Sequence, residues 1–168
     1  MRLIGLDPGL QRTGWGVIEA SGTALKFVAC GTVQSRSDAA LACRLETIFE
    51  ALRHVIAAQG PIEAAVEETV VNKNALSSLK LGQARGVVLL AAATSGMAVA
   101  EYNAKHVKRA VTGTGAATKD QVMHMIRVLL PGSGNPGADA ADALAVAVCH
   151  AHHRLTQRRI PLALAQTA

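Results

Sequence analysis

Apolar residues along this chain follow two periods, and the switches between them mark the elements. Leu3-Ile4-Gly5-Leu6 and Trp15-Gly16-Val17-Ile18 are short apolar runs joined through Pro8-Gly9, which predicts an antiparallel hairpin. A third strand is expected over residues 25–33, after the Ser21-Gly22 turn. Over residues 39–58 the spacing becomes helical, with Leu41, Leu45, Ile48, Leu52, Val55 and Ile56 on one side and Ser37-Asp38 as the expected N-cap. Gly60-Pro61 ends that helix, and residues 62–66 form a short apolar strand. Residues 76–94 predict a long helix with Leu76, Leu79, Val87, Leu90 and Ala91 inside, followed by a strand over 97–102. Helices over 105–111, 119–130 and 139–152 complete the chain, with Thr118 as a cap, and beyond Arg154 the periodicity fades into an expected loose tail. The order βββαβαβ with further helices predicts an α/β fold, a mixed sheet of five strands with helices on both faces.

Four carboxylates break this pattern. Asp7 stands where an apolar run ends at Pro8-Gly9, and Glu67 follows the apolar strand over 62–66. Burying such a charge costs several kcal/mol unless a partner or a cation meets it. Asp139 and Asp142 are one turn apart on a helix otherwise made of Ala, Leu and Val as far as Val148. A turn aspartate explains Asp7 alone, and the helix dipole explains Asp139 alone, but neither explains Asp142. Oxygen donors without Cys or His suit Mg²⁺ or Mn²⁺, and a pair of such ions suits phosphodiester cleavage. Glu68 alternates to the opposite face from Glu67 and is expected to be solvated.

Composition narrows the partner. The 168 residues are half hydrophobic but only 2% aromatic, so Ala, Val and Leu must make the core of one domain. Residues 1–72 carry 6 Lys/Arg against 8 Asp/Glu, whereas residues 73–127 carry 8 against 2. A basic middle section beside clustered acids points to nucleic acid. Residues 86–100 are too short and broken to span a bilayer, and no leader pattern precedes the first strand. Cys30, Cys43 and Cys149 have no metal-ligand spacing and read as reduced thiols in a cytoplasmic protein. His150, His152 and His153 read as a helix-end cluster favoured by the dipole.

Ile4-Gly5-Leu6-Asp7-Pro8-Gly9, Ala65-Val66-Glu67, the run from Leu79 to Gly86 and Ala138-Asp139-Ala140-Ala141-Asp142-Ala143-Leu144-Ala145 together resemble the bacterial RuvC Holliday-junction resolvases. The resemblance extends from residue 2 to about His152. It implies a ribonuclease H-like nuclease domain over residues 1–153, with 154–168 as a flexible tail. It also implies a homodimer that nicks four-way DNA junctions symmetrically with a metal-activated water, in recombination and repair. Two Mg²⁺ per site are implied, with Mn²⁺ as a substitute, and RuvA and RuvB as partners. Asp7, Glu67, Asp139 and Asp142 match the metal-binding catalytic acids, and Lys108 and Lys119 match basic residues near the scissile phosphate. Lys73, Asn74, Lys80 and Arg85 are further candidate DNA contacts, with Val70.

Val70 is a departure, because the family commonly places Phe three residues after the strand glutamate. Stacking a base on an aromatic is worth about 1–3 kcal/mol, which valine cannot supply. A junction-binding module with weak cleavage is therefore one alternative. An actin- or hexokinase-like phosphotransferase is another, but it needs a second Asp-x-Gly loop that this chain lacks. The helix over 76–94 is the candidate dimer interface, although burial in the monomer's own core accounts for its apolar run almost as well.

Overall fold

The computed structural model describes residues 1–69 and 74–165. Five strands form one mixed sheet: β1 (Arg2–Asp7), β2 (Arg12–Ser21), β3 (Ala24–Gln34), β4 (Glu63–Glu67) and β5 (Ala98–Tyr102). Their order across the sheet is β3-β2-β1-β4-β5. β1 pairs antiparallel with β2 and parallel with β4, so the hairpin edge and the crossover half join at β1. The helices are α1 (Leu41–Gln59), α2 (Ala75–Thr94), α3 (Ala104–Thr112), α4 (Lys119–Leu129) and α5 (Ala138–Ala165).

Strand alternation divides the interior into two cores. Ile4 and Leu6 of β1 with Ala64 and Val66 of β4 meet Ile48 and Leu52 of α1 and Ala84 and Val88 of α2. Leu3 and Ala65 point the other way, toward Val107 of α3, Val122 of α4 and Leu144 and Val148 of α5. Asp7 and Glu67 continue the Leu3-Gly5 and Glu63-Ala65 sets, so both carboxylates face α5.

Three glycines set how closely α5 approaches. A Cβ on Gly5 would lie 2.1 Å from the Ala143 carbonyl oxygen, and one on Gly14 would lie 1.9 Å from that of Asp139. A Cβ on Gly16 would strike the Leu144 side chain at 2.7 Å. The helix opposite is correspondingly Ala-rich, and Ala140, Ala141, Ala143, Ala145 and Ala147 are all buried. Helix backbone therefore rests almost directly on strand backbone.

Several boundaries and faces differ from expectation. α1 starts at Leu41 with Ala40 as its N-cap and no side-chain cap, and the Asp38 carboxylate instead accepts from Arg36. Leu76, Leu79 and Leu90 of α2 are 61%, 61% and 52% exposed, so they do not line the subunit's core. The buried stripe is Ala84, Val88, Ala91 and Ala92, which join the core shared with α1 and the sheet. α5 runs on through the segment expected to be irregular, so residues 153–165 are helical. His150 consequently lies within the helix, away from any helix end. It is buried, with Tyr102 Oη 2.9 Å from Nδ1 and Glu63 Oε2 3.0 Å from Nε2. Arg154 Nε completes the tie at 2.9 Å from the same Glu63 oxygen. Among the described residues no helix is long and apolar enough to cross a membrane, and Cys30, Cys43 and Cys149 are free thiols.

Candidate active site

The parallel register Leu6↔Val66 makes Asp7 and Glu67 the next residues along two adjacent strands, on the face covered by α5. α5 runs back over those strand ends, and the glycine contact at Gly14 fixes its first turn there. Asp142 consequently shares a cleft of about 240 Å³ with Asp7 and Glu67, walled by Val107 of α3 and Val122 of α4. Lys108 and Lys119 line the same cleft. Lys119 begins α4 directly after a complete capping box, in which Thr118 Oγ1 accepts from the Gln121 amide and Gln121 Oε1 accepts from the Thr118 amide.

The four acids divide by environment. Asp7 is pushed up to about 7, first by burial and then by the negative charges of Glu67 and Asp142, against the lowering effect of Lys119. Glu67 is also pushed up to about 7, by burial and then by Asp142, with Lys119 and Lys108 opposing. The α5 acids have direct cationic partners instead. Lys119 Nζ lies 3.1 Å from Asp142 Oδ2, and Arg12 Nε lies 3.0 Å from Asp139 Oδ2. The Lys119 ammonium is raised in turn, chiefly by its hydrogen bond and charge contact with Asp142.

Among the described residues no group of three His, Cys, Asp or Glu side chains already closes around one point. Asp139 and Asp142 are paired with Arg12 and Lys119. The donor chemistry nonetheless fits a hard divalent cation, since every candidate ligand is a carboxylate. The raised Asp7 and Glu67 mark carboxylates whose charged form is disfavoured first by burial and then by their acidic neighbours.

The other candidate contacts are dispersed. Asn74 Oδ1 caps α2 by accepting from the Ser77 amide, and Lys80 is exposed on that helix. Arg85 pairs with Glu101 of β5, which takes it out of the acidic cleft. Val70 and Lys73 lie outside the described residues. Glu68 is exposed, as its alternation predicts. Arg12 went unsingled in the sequence, because its reach to Asp139 depends on how the first turn packs against α5. Its only signal is its place five residues after Asp7.

The family described as crossover junction endodeoxyribonuclease RuvC matches residues 3–150, nearly the whole described chain. The chain belongs to the RuvC family. The RuvC of Acidiphilium cryptum is 60% identical over 162 residues, covering 96% of this chain and 97% of the relative. That of Paramagnetospirillum magneticum is 56% identical over 166 residues, covering 99% of this chain and all of the relative. The solved Thermus thermophilus RuvC in complex with Holliday junction substrate superposes with a TM-score of 0.87 at 30% identity, covering 94% of this chain and 96% of that one. The five-stranded mixed sheet is thus the ribonuclease H-like sheet of RuvC, as the motifs imply.

Proposed function

We propose that this protein resolves four-way DNA junctions by paired symmetrical nicks, as a Mg²⁺-dependent endodeoxyribonuclease of recombination and repair. The observation that carries the reading is the convergence of Asp7, Glu67 and Asp142 in one cleft rimmed by Lys108 and Lys119, in a RuvC chain. Asp7, central among the acids, would hold the metals together with Glu67, Asp139 and Asp142. Two Mg²⁺ ions, with Mn²⁺ as a substitute, would supply the positive charge that activates a water and stabilises the leaving oxygen. Lys108 and Lys119 reach the same cleft from α3 and α4 and would hold the scissile phosphate over the carboxylates. Lys119 would also help offset charge developing at that phosphate.

Nicking both strands symmetrically needs two clefts. A homodimer joined through the exposed leucines of α2 would supply them, and the family partners RuvA and RuvB would act on the same junction in the cytoplasm. Asn74 and Lys80, at the start of α2, would meet the DNA arms, together with Val70 and Lys73. Arg85, held by Glu101, is the weakest of the proposed contacts.

The deciding experiment is cleavage of a synthetic four-way junction against a linear duplex in Mg²⁺, for the wild type and Asp7→Asn. Paired nicks in the junction alone, abolished by the substitution, are expected. Tight junction binding without nicks in any divalent metal would overturn the nuclease reading and leave a binding module.

A further inference from the structure

We propose that Arg12 is a resident counter-ion of the site, holding Asp139 until a divalent cation takes that carboxylate and then turning to the DNA backbone. The inference rests on the metal-site reading above and adds a residue to it. Both α5 acids face a side-chain cation, Arg12 at 3.0 Å and Lys119 at 3.1 Å, while neither Asp7 nor Glu67 has an ion pair among the described residues. The cations thus sit on the half of the acid set that belongs to the helix.

The Arg12 position is built into the fold. It is the first residue of β2, paired with Gln34 of β3. The next residue, Thr13, is fully buried, and its hydroxyl donates to the Gly9 carbonyl at 2.7 Å, closing the turn that follows Asp7 and Pro8. One residue further, Gly14 lies against the Asp139 carbonyl with no room for a Cβ. The start of β2 and the first turn of α5 are therefore locked together, and only the Arg12 side chain remains free to move. That side chain is 60% exposed and Asp139 is 30% exposed. An ion pair so open to water is weak enough to exchange, and a divalent ion brings twice the charge to the same oxygen.

Exchange couples two ligands. A junction phosphate that draws Arg12 away frees Asp139 for metal, and metal on Asp139 frees Arg12 for phosphate. By linkage the two effects are equal in size. Arg12 is thus a positioning residue that acts through Asp139, and truncating it should tighten metal binding. A merely structural role would do the opposite.

The test is Mn²⁺ titration by calorimetry on the full chain without DNA, for the wild type, Arg12→Ala, Arg12→Lys and Asp7→Asn. Arg12→Ala and the wild type are also measured in an Asp139→Asn background. Arg12→Ala is expected to bind Mn²⁺ about three- to tenfold more tightly, and Arg12→Lys to stay near the wild type. The tightening should vanish once Asp139 is Asn, since the double-mutant cycle isolates that pair. Four-way junction binding with Mn²⁺ present, scored on a timescale before cleavage, should weaken about three- to fivefold in Arg12→Ala. Unchanged or weaker Mn²⁺ binding in a folded Arg12→Ala protein would overturn the proposal, as would tightening that persists without Asp139. Unchanged junction affinity would overturn the phosphate half. If Mn²⁺ binding depends on Asp7 but not on Arg12, the counter-ion fails alone. If the wild type binds no Mn²⁺ that Asp7→Asn weakens, the metal-site reading fails and the counter-ion with it.

Discussion

The two longest helices, α5 and α2, cover opposite faces of one sheet and meet it on different terms. α5 rests on backbone, because Gly5, Gly14 and Gly16 leave nothing between it and the strands. α2 rests on side chains, with Ala84, Val88, Ala91 and Ala92 in one cluster with Ile48 and Leu52 of α1 and with Ile4, Leu6 and Val66 of the sheet. Glycines occur on both sides of this comparison, but their surroundings are opposite. Nothing lies within 4 Å of a Cβ built on Gly82 or Gly86 of α2. A glycine beneath α5 therefore sets a distance that Asp139 and Asp142 need in order to reach the strand ends. A glycine on α2 constrains nothing inside one subunit, and that face also exposes Leu76, Leu79 and Leu90.

The sharpest way to break the comparison is to add one methyl on the α5 side. Gly14→Ala should lift the first turn of α5 and cost about 3 kcal/mol in urea unfolding. A misplacement of that kind should lower junction cleavage about 100-fold. Wild-type stability for Gly14→Ala would show that α5 can slide, and that the close contact is not what places Asp139.

The pH dependence tests the charge that this contact gathers. Asp7 and Glu67 are raised to about 7 from ordinary values of 3.8 and 4.5. Between about pH 4 and pH 7 the metal-free folded protein therefore binds more protons than the unfolded chain. The stabilising contribution is complete below the unfolded values and is lost as pH rises through 7. Melting of metal-free protein should fall across that window, and Asp7→Asn should raise Tm at pH 8 by about 4–8 °C. A flat Tm from pH 4.5 to 8 would remove the burial argument.

The α2 face makes smaller demands on folding. Leu79→Asp should weaken self-association at least about tenfold in light scattering while shifting subunit stability by no more than about 0.5 kcal/mol. An unaltered dimer would move the interface elsewhere. Smallest of all, Gly86→Ala in that Leu79→Asp background should add about 0.5–1 kcal/mol in thermal unfolding, the ordinary helix gain at an open position.

Much of this was legible in the chain because it depends on local period. The strand ends at Asp7 and Glu67 follow from apolar runs that stop at a turn, and Asp139 with Asp142 follows from i, i+3 spacing. The parts that were not legible depend on what packs across the sheet. The α2 leucines have the spacing of a core stripe, but Ala84, Val88, Ala91 and Ala92 are the residues turned inward. His150 looked like part of a helix end until Glu63, 87 residues away, appeared as its partner. Arg12 has no local signature, because its partner Asp139 lies 127 positions later in the chain. Ser37-Asp38 had the composition of a cap, but Arg36 took the Asp38 carboxylate first.

The order of elements along the chain gives the α5 contact a consequence in time. A single domain generally folds as a unit, and synthesis delivers its elements from the N-terminus onward. While α5 is still being made, the glycine face of the sheet has no cover and only Asp7 and Glu67 of the four acids have been synthesised. The full set of four acids is therefore assembled only when α5 settles onto the strands. A nascent chain stalled before residue 139 would carry Lys108 and Lys119 without the Asp139 and Asp142 that share their surroundings in the folded protein.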